Sequence, residues 1–383
     1  MEAFNVMINF DNSATSFPKP DVVKKAVVEA MNRYGGNPGR SGHKISIATA
    51  EAVYSARTAA ADFFGAEPDN VVFTQNCTHA LNTAIKGTAS AGCHIIISSL
   101  EHNSVLRPVH ALSKGTCSYS IAQVSRSDSE TVENFSRLIT PHTKIIACTL
   151  GSNVTGQILP FRSIAELCRK HGICFIADGA QACGVIPVSL SDGINILCTA
   201  GHKSLYGPSG TGLLVTDGKY KINPIMEGGT GSASMEKDQP DLLPDSLESG
   251  TVNTSGAIGL GAGIRFVKKL GMDRIYDHES KLCRIFIHET ENIGRMTVYR
   301  GETENYLPIV SFNVAGLSAN ETAAKLSDMG FALRGGLHCS GLAHTSLGTV
   351  PDGTVRFSPS VFNSEKEVYA LVSAIKKIAA ESA

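Results

Sequence analysis

The sequence predicts an α/β fold, with a large domain built on a mostly parallel sheet covered by helices and a smaller α+β domain beside it. Two observations carry this expectation. Between residues 71 and 215, short β-branched runs alternate with helical patterns, which is how strand and helix units of a parallel sheet read. Beyond Gly256 the pattern changes to long amphipathic segments and then to two units that open on helix-start signals. A chain of 383 residues, 42% hydrophobic and 18% charged, has enough apolar material for one large or two moderate cores.

The elements follow in order. Runs at 71–73, 95–98, 144–149, 173–177, 194–198 and 212–215 read as strands of the large sheet. Strands buried on both faces are apolar throughout, as Ile95-Ile96-Ile97 is. Farther on, Ser318-x-x-Glu321 and Ser364-x-x-Glu367 are capping boxes that start helices. The first of those helices should stop at Gly330. Residues 331–334 and 354–357 then read as strands of the smaller domain, which the first 17 residues are expected to join. The expected division is 18–255 for the large domain and 256–383, with 1–17, for the small one.

Charge and cysteine usage narrow the function. With 34 basic and 35 acidic residues the formal charge is -1, which gives no broad field for gripping nucleic acid or an anionic membrane. Small-molecule chemistry is favoured. No apolar run approaches the roughly 20 residues that span a bilayer, and the first residues lack a secretory pattern, so a cytoplasmic location is expected. Ten cysteines occur without a CxxC pair, which argues against a zinc or thioredoxin motif and for a reducing compartment. No metal site is expected. Cys148 and Cys198 lie within apolar runs and read as core.

Ligands of open α/β sheets gather at the carboxyl ends of strands, and His102, Asn153, Asp178 and the Lys203 loop each follow such a run. Singly these are weak signals, since Asp178 reads equally well as a turn residue and Lys203 as a surface lysine. Their neighbours form an ordered series. It runs through Ile8-Asn-Phe-Asp-Asn-Ser-Ala-Thr15, Asn37-Pro-Gly-Arg-Ser-Gly-His43, Glu101-His-Asn103, Ser152-Asn-Val-Thr-Gly156, Ala177-Asp-Gly-Ala-Gln181, Gly201-His-Lys203, Arg334-Gly-Gly-Leu-His-Cys339 and Val355-Arg356. Over nearly the whole chain this resembles the class V aminotransferase-like pyridoxal phosphate (PLP) enzymes, and within them the cysteine desulfurase and selenocysteine lyase family.

That resemblance implies the PLP-dependent transferase fold, type I, with a seven-stranded sheet. It also implies roles for residues. Lys203 would hold PLP covalently and move the substrate's α-proton, while Asp178 would keep the pyridine nitrogen protonated. His102 would stack on the ring and take part in proton transfers. Asn153 and Gln181 would hydrogen-bond the phenolic oxygen, with Asn153 also facing the substrate. Cys77 and Thr78, opening a helix, and His202 would cradle the phosphate. Thr251, in Glu248-Ser-Gly-Thr251-Val-Asn253, would cross the interface of a homodimer to the other subunit's phosphate. Arg356 would grip an amino acid's carboxylate, helped by Arg334 at the mouth. One departure stands beside the lysine: Ala200 occupies a position where the family usually carries Ser or Thr.

Cys339 decides the reaction. It sits among glycines, which suggests a mobile and accessible thiol, and matches the family's sulfur-accepting nucleophile. Only a few per cent of an ordinary thiol is thiolate at neutral pH, so His338 or a cofactor-bound group is expected to help activate it. The short spacing from Cys339 to Arg356 resembles the family's second group, where the sulfur acceptor, a protein or a small reductant, must come to the pocket. The implied reaction is sulfur removal from L-cysteine to give L-alanine and a persulfide on Cys339. Selenium release from L-selenocysteine uses the same residues, and a non-catalytic scaffold or sulfur carrier is the answer from a different class.

Overall fold

The computed structural model describes residues 7–38, 42–232, 234–300 and 305–381. Residues 1–6 of the expected amino-terminal contribution, and Gly39, Arg40 and Ser41 of the second motif, lie outside them.

Strand β1 (Ile8–Asn9) and helices α1 (Asp21–Arg33) and α2 (Lys44–Phe64) come first. Then follow β2 (Val71–Thr74), α3 (Cys77–Thr88), β3 (His94–Ser98), α4 (Asn103–Ser113), β4 (Ser118–Ala122), α5 (Asp128–Arg137), β5 (Thr143–Thr149), α6 (Phe161–His171), β6 (Cys174–Asp178), β7 (Ile196–Ala200) and β8 (Gly212–Thr216). The strands form a seven-stranded sheet in the order β2-β8-β7-β6-β5-β3-β4. All neighbours are parallel except those of β8, which is antiparallel to both β2 and β7. The loop at 201–211 is too short for a crossover, so the chain must return antiparallel, and that loop carries Lys203.

Side chains alternate across the sheet as the pleat requires. Ile95, Ile97, Ile145, Ala147, Ile176 and Cys198 pack with Leu81 and Ile85 of α3 and Val105 and Val109 of α4. On the opposite face Ile96, Ile146, Cys148, Phe175 and Leu197 pack with Phe64, Phe135 and Ile164. Strand β4 escaped the sequence reading. It is an edge strand whose run, Ser-Tyr-Ser-Ile-Ala, is mostly half-exposed, so it never reads as continuously apolar.

Helix α7 (Thr254–Leu270) corrects the expected boundary at 255/256. Its Leu260 and Ile264 belong to the same core as Phe64 and Phe175, and it packs on α1 and α2. The change of body therefore falls near Gly271. The remaining elements are α8 (Met272–Thr290), β9 (Met296–Val298), β10 (Val310–Val314), α9 (Ala319–Asp328), β11 (Phe331–Ala332), β12 (Arg334–Gly336), α10 (Gly341–Leu347), β13 (Thr354–Phe357) and α11 (Glu365–Glu381). A sheet in the order β12-β13-β10-β9 shares a core with α8 and α11 around Phe10, Phe286, Phe312 and Phe357. The run at 331–334 is not one strand. Phe331 and Ala332 pair in parallel with Ile8 and Asn9, whereas Arg334 pairs with Arg356 in the other sheet, because the chain changes sheets at Leu333. The Ser318–Glu321 capping box forms in full, and its helix ends two residues before Gly330. Among the described residues no helix is long and apolar enough to cross a membrane.

Candidate active site

The carboxyl ends of β3, β5, β6 and β7, the amino end of α3, and β12 and β13 enclose a cavity of about 230 Å³. Asp178 is the last residue of β6 and is buried. Its Oδ1 accepts the Ala180 N–H at 2.9 Å and the Cys77 thiol at 3.4 Å. Lys203 lines the same cavity from the β7–β8 loop, which turns tightly because Gly201 has no Cβ; one there would overlap the Thr211 hydroxyl. Burial depresses the lysine's pKa, Asp178 opposes that, and the Arg356 guanidinium adds to it. A lysine so placed gives up its proton more readily than one in water.

His102 is the N-cap of α4, and its Nδ1 accepts the Ser104 N–H at 3.0 Å. A nitrogen that accepts carries no proton, so the neutral ring holds its hydrogen on Nε2. Burial first, and then the nearby cations Lys203, Arg334 and Arg356 against the pull of Asp178, lowers its pKa to about 4. The Ser104 hydroxyl lies 2.8 Å from this Nδ1 and 2.7 Å from Thr78 Oγ1. Thr78 is thus placed at the start of α3, whose first N–H groups have no intrahelical acceptor. His202 lines the cavity too, and its buried Nδ1 has no hydrogen-bond partner among the described residues. Ala200 closes β7 without a hydroxyl. Thr199 does not substitute, because its Oγ1 points to the Gly179 carbonyl at 3.3 Å.

Arg356 is 1% exposed. Its Nη2 donates to Asp11 Oδ1 at 2.7 Å and its Nη1 to the Asn153 carbonyl at 3.1 Å, while among the described residues Nε has no partner. The Cys339 loop is tied down beside it. Asn153 Nδ2 donates to the His338 carbonyl at 2.9 Å, Ser340 Oγ donates to Asn153 Oδ1 at 2.7 Å, and the Asn103 N–H donates to the Cys339 carbonyl at 2.8 Å. The thiol is exposed, and Arg334 Nη2 lies 3.7 Å from its sulfur.

The structure therefore gathers Lys203, Asp178, His102, Asn153, Gln181, Cys77, Thr78, His202, Arg334 and Arg356 around one cavity, with Cys339 just outside. Several details differ from expectation. The Cys77 side chain meets Asp178, leaving only its backbone N–H for a phosphate. Asn153 spends its amide on the 338–340 loop, and Gln181 Nε2 donates to the Ser13 carbonyl at 3.2 Å. His338 does not reach the thiol: it is buried, its Nε2 donates to the Thr354 carbonyl at 2.9 Å, and burial drives its pKa down to about 2. Thr251 is exposed and does not line this chain's cavity.

Two residues were given no role by the sequence. Asp11 stood inside a quoted motif, but its pairing with Arg356 spans 345 positions. Glu101 is fully buried and accepts the Ser98 hydroxyl and the Thr149 N–H at 3.0 Å, joining the ends of β3 and β5 beneath His102. Burial raises its pKa to about 8. A lone carboxylate between an apolar strand and a histidine was the available signal.

Residues 8–371 match the family Aminotransferase class-V. The chain belongs to the class-V aminotransferase family. Its architecture is the type I fold of this class of PLP-dependent enzymes. Among class-V relatives, a probable cysteine desulfurase of Mycolicibacterium paratuberculosis is 30% identical over 97% of this chain, which spans 55% of that protein's length. A probable cysteine desulfurase of Pyrococcus abyssi is also 30% identical, over 97% of this chain and 94% of its own. In three dimensions the apo cysteine desulfurase of Thermococcus onnurineus NA1 matches with a TM-score of 0.91 at 29% identity, covering 98% of this chain and 96% of that one.

Proposed function

We propose that the protein is a PLP-dependent cysteine desulfurase that converts L-cysteine to L-alanine and leaves a persulfide on Cys339. The observation that carries this reading is an exposed thiol fixed at the rim of a cavity that holds both Lys203 and Asp178. The residues present fit the cofactor. The Cys77 and Thr78 N–H groups at the amino end of α3, and the Nδ1 of His202, unpartnered among the described residues, are donors suited to a phosphate. Asp178 offers a carboxylate to a protonated ring nitrogen. When bound, PLP supplies the electron sink for the substrate's α-carbon.

The chain's own groups do the rest. Arg356 holds the substrate carboxylate, with Asp11 fixing its far edge. Lys203, its pKa lowered by burial, takes the α-proton at Nζ. His102 presents its Nε2–H to the cavity as a hydrogen-bond donor. The Cys339 thiolate takes the substrate's sulfur, and Arg334 stands against the charge at that sulfur.

The active unit in this reading is a homodimer with Thr251 reaching the second copy's phosphate site. Large apolar side chains on α1 and α2 lie open to solvent, including Met31 at 74% and Val28 at 58%, and a second copy would cover them. The 249–253 loop is anchored by Glu248, which pairs with Arg57 at 2.8 Å.

The test is one turnover of cofactor-loaded protein with L-cysteine. One alanine per subunit and one persulfide, mapped to Cys339 by mass spectrometry, are expected. Undiminished alanine release by Cys339→Ser would refute the assignment. Relative kcat/KM on L-cysteine and L-selenocysteine decides between sulfur and selenium.

A further inference from the structure

A second space lies beside the catalytic cavity. It is a groove of about 320 Å³ between α3 and α4, lined by Thr78, Asn82 and Lys86 on one wall and Asn103 and Arg107 on the other, with Cys339 at its inner end. Thr78, His102 and Ser104 border both spaces. Cys339 borders only the groove. The thiol thus stands between the cavity where a substrate's sulfur would be released and a separate channel leading outward.

Both helices begin at the site and run away from it. A helix rises 1.5 Å per residue, so Lys86 lies about 12 Å beyond Thr78 and Arg107 about 6 Å beyond Asn103. Both cations are exposed, and among the described residues neither makes an ion pair. The space suits a molecule of a few residues rather than a folded surface, and its two cations call for carboxylates at a distance from the thiol end.

We propose that this groove binds a small peptidic thiol carrying carboxylates, which takes the sulfur from Cys339. The inference rests on the cysteine desulfurase reading. In the transfer, the acceptor's thiolate attacks the outer sulfur of the Cys339 persulfide, the sulfur–sulfur bond breaks, and Cys339 leaves as a thiolate. The acceptor becomes the persulfide, and no outside oxidant or reductant is consumed. Lys86 and Arg107 hold the acceptor's carboxylates by charge-assisted hydrogen bonds.

The experiment uses the cofactor-loaded full chain and the double variant Lys86→Gln/Arg107→Gln. Calorimetry with S-methylglutathione, which cannot react, should show binding that the double variant weakens at least tenfold. In single-turnover transfer from the preformed persulfide, kcat/KM for reduced glutathione should fall by a similar factor, while the rate with uncharged 2-mercaptoethanol stays the same. Lys86→Arg/Arg107→Lys should keep the binding. Equal effects on both thiols, no effect on glutathione, or binding of an acidic protein but not of S-methylglutathione would overturn the proposal. Absence of the first-turnover alanine in the wild type would instead count against the desulfurase reading, since neither Lys86 nor Arg107 lines the cavity.

Discussion

Asp11 holds Arg356 at 2.7 Å, and this contact orients a guanidinium that is otherwise enclosed. Arg356 carries its charge into a nearly dry site, where its pKa is lowered by burial and raised again by Asp11. The occupied Nη2 leaves the unpartnered Nε for another acceptor. Asp11→Asn keeps an acceptor oxygen but removes the charge. We expect KM for L-cysteine to rise about tenfold, equivalent to about 1.4 kcal/mol, with a smaller change in kcat. Steady-state kinetics checks the split, and an equal fall in kcat with unchanged KM contradicts a positioning role.

Ala200 should respond to repair. It ends β7 inside the cavity with no hydroxyl, so Ala200→Ser adds one donor beside the proposed phosphate site. A net hydrogen bond is worth about 1 kcal/mol, which predicts roughly fivefold tighter PLP binding. Titration of the cofactor-free protein by absorbance measures it.

The Arg57–Glu248 pair is buried on both sides, and Glu248 also accepts the Phe73 N–H at 2.6 Å. Removing one member strands the other charge, at a cost of about 3–5 kcal/mol. Glu248→Ala is expected to lower stability to urea by that order. It should also speed proteolysis in the 249–253 loop, whose near end Glu248 anchors.

The pH dependence of stability has two limbs. Burial holds His102 and His202 at about 4 and His338 at about 2, against about 6.5 in the unfolded chain. Below pH 6.5 the unfolded state binds more protons, so their contribution is full above 6.5 and is lost as pH falls towards 4. Glu101 and Glu279 act oppositely, because burial raises both to about 8. They keep protons that the unfolded chain sheds above about 4.5, so their contribution is lost as pH rises towards 8. Burial also lowers His79, His94 and His344, so the histidines outnumber the two glutamates below pH 6.5 and Tm of the cofactor-free protein should peak near that pH. Glu279→Gln should flatten the alkaline limb and gain roughly 1–3 kcal/mol at pH 8. A wild-type Tm still climbing at pH 8 would contradict this.

How much could be read from the chain depended on the range of the interaction involved. Central strands such as β3 were legible because burial on both faces forces unbroken apolar runs. Strand β10, Val-Ser-Phe-Asn-Val, was not, since its Ser311 donates to the Val154 carbonyl at 2.7 Å and only that distant partner explains a polar residue in a core strand. Site residues were recognisable from their order along the chain. Their pairings were not, because Asn153 clamping Ser340, Asp11 holding Arg356 and His338 turning towards Thr354 are set by tertiary packing.

The fastened backbone around Cys339 implies a particular traffic pattern. His338 and Cys339 both adopt left-handed backbone angles, φ 49° and 57°, and hydrogen bonds from Asn103 and Asn153 hold their carbonyls. A sulfur atom loaded there waits at a fixed address rather than riding a swinging arm. Whatever collects it does the travelling, so the unloading rate should scale with the collector's concentration and level off only when its berth is full.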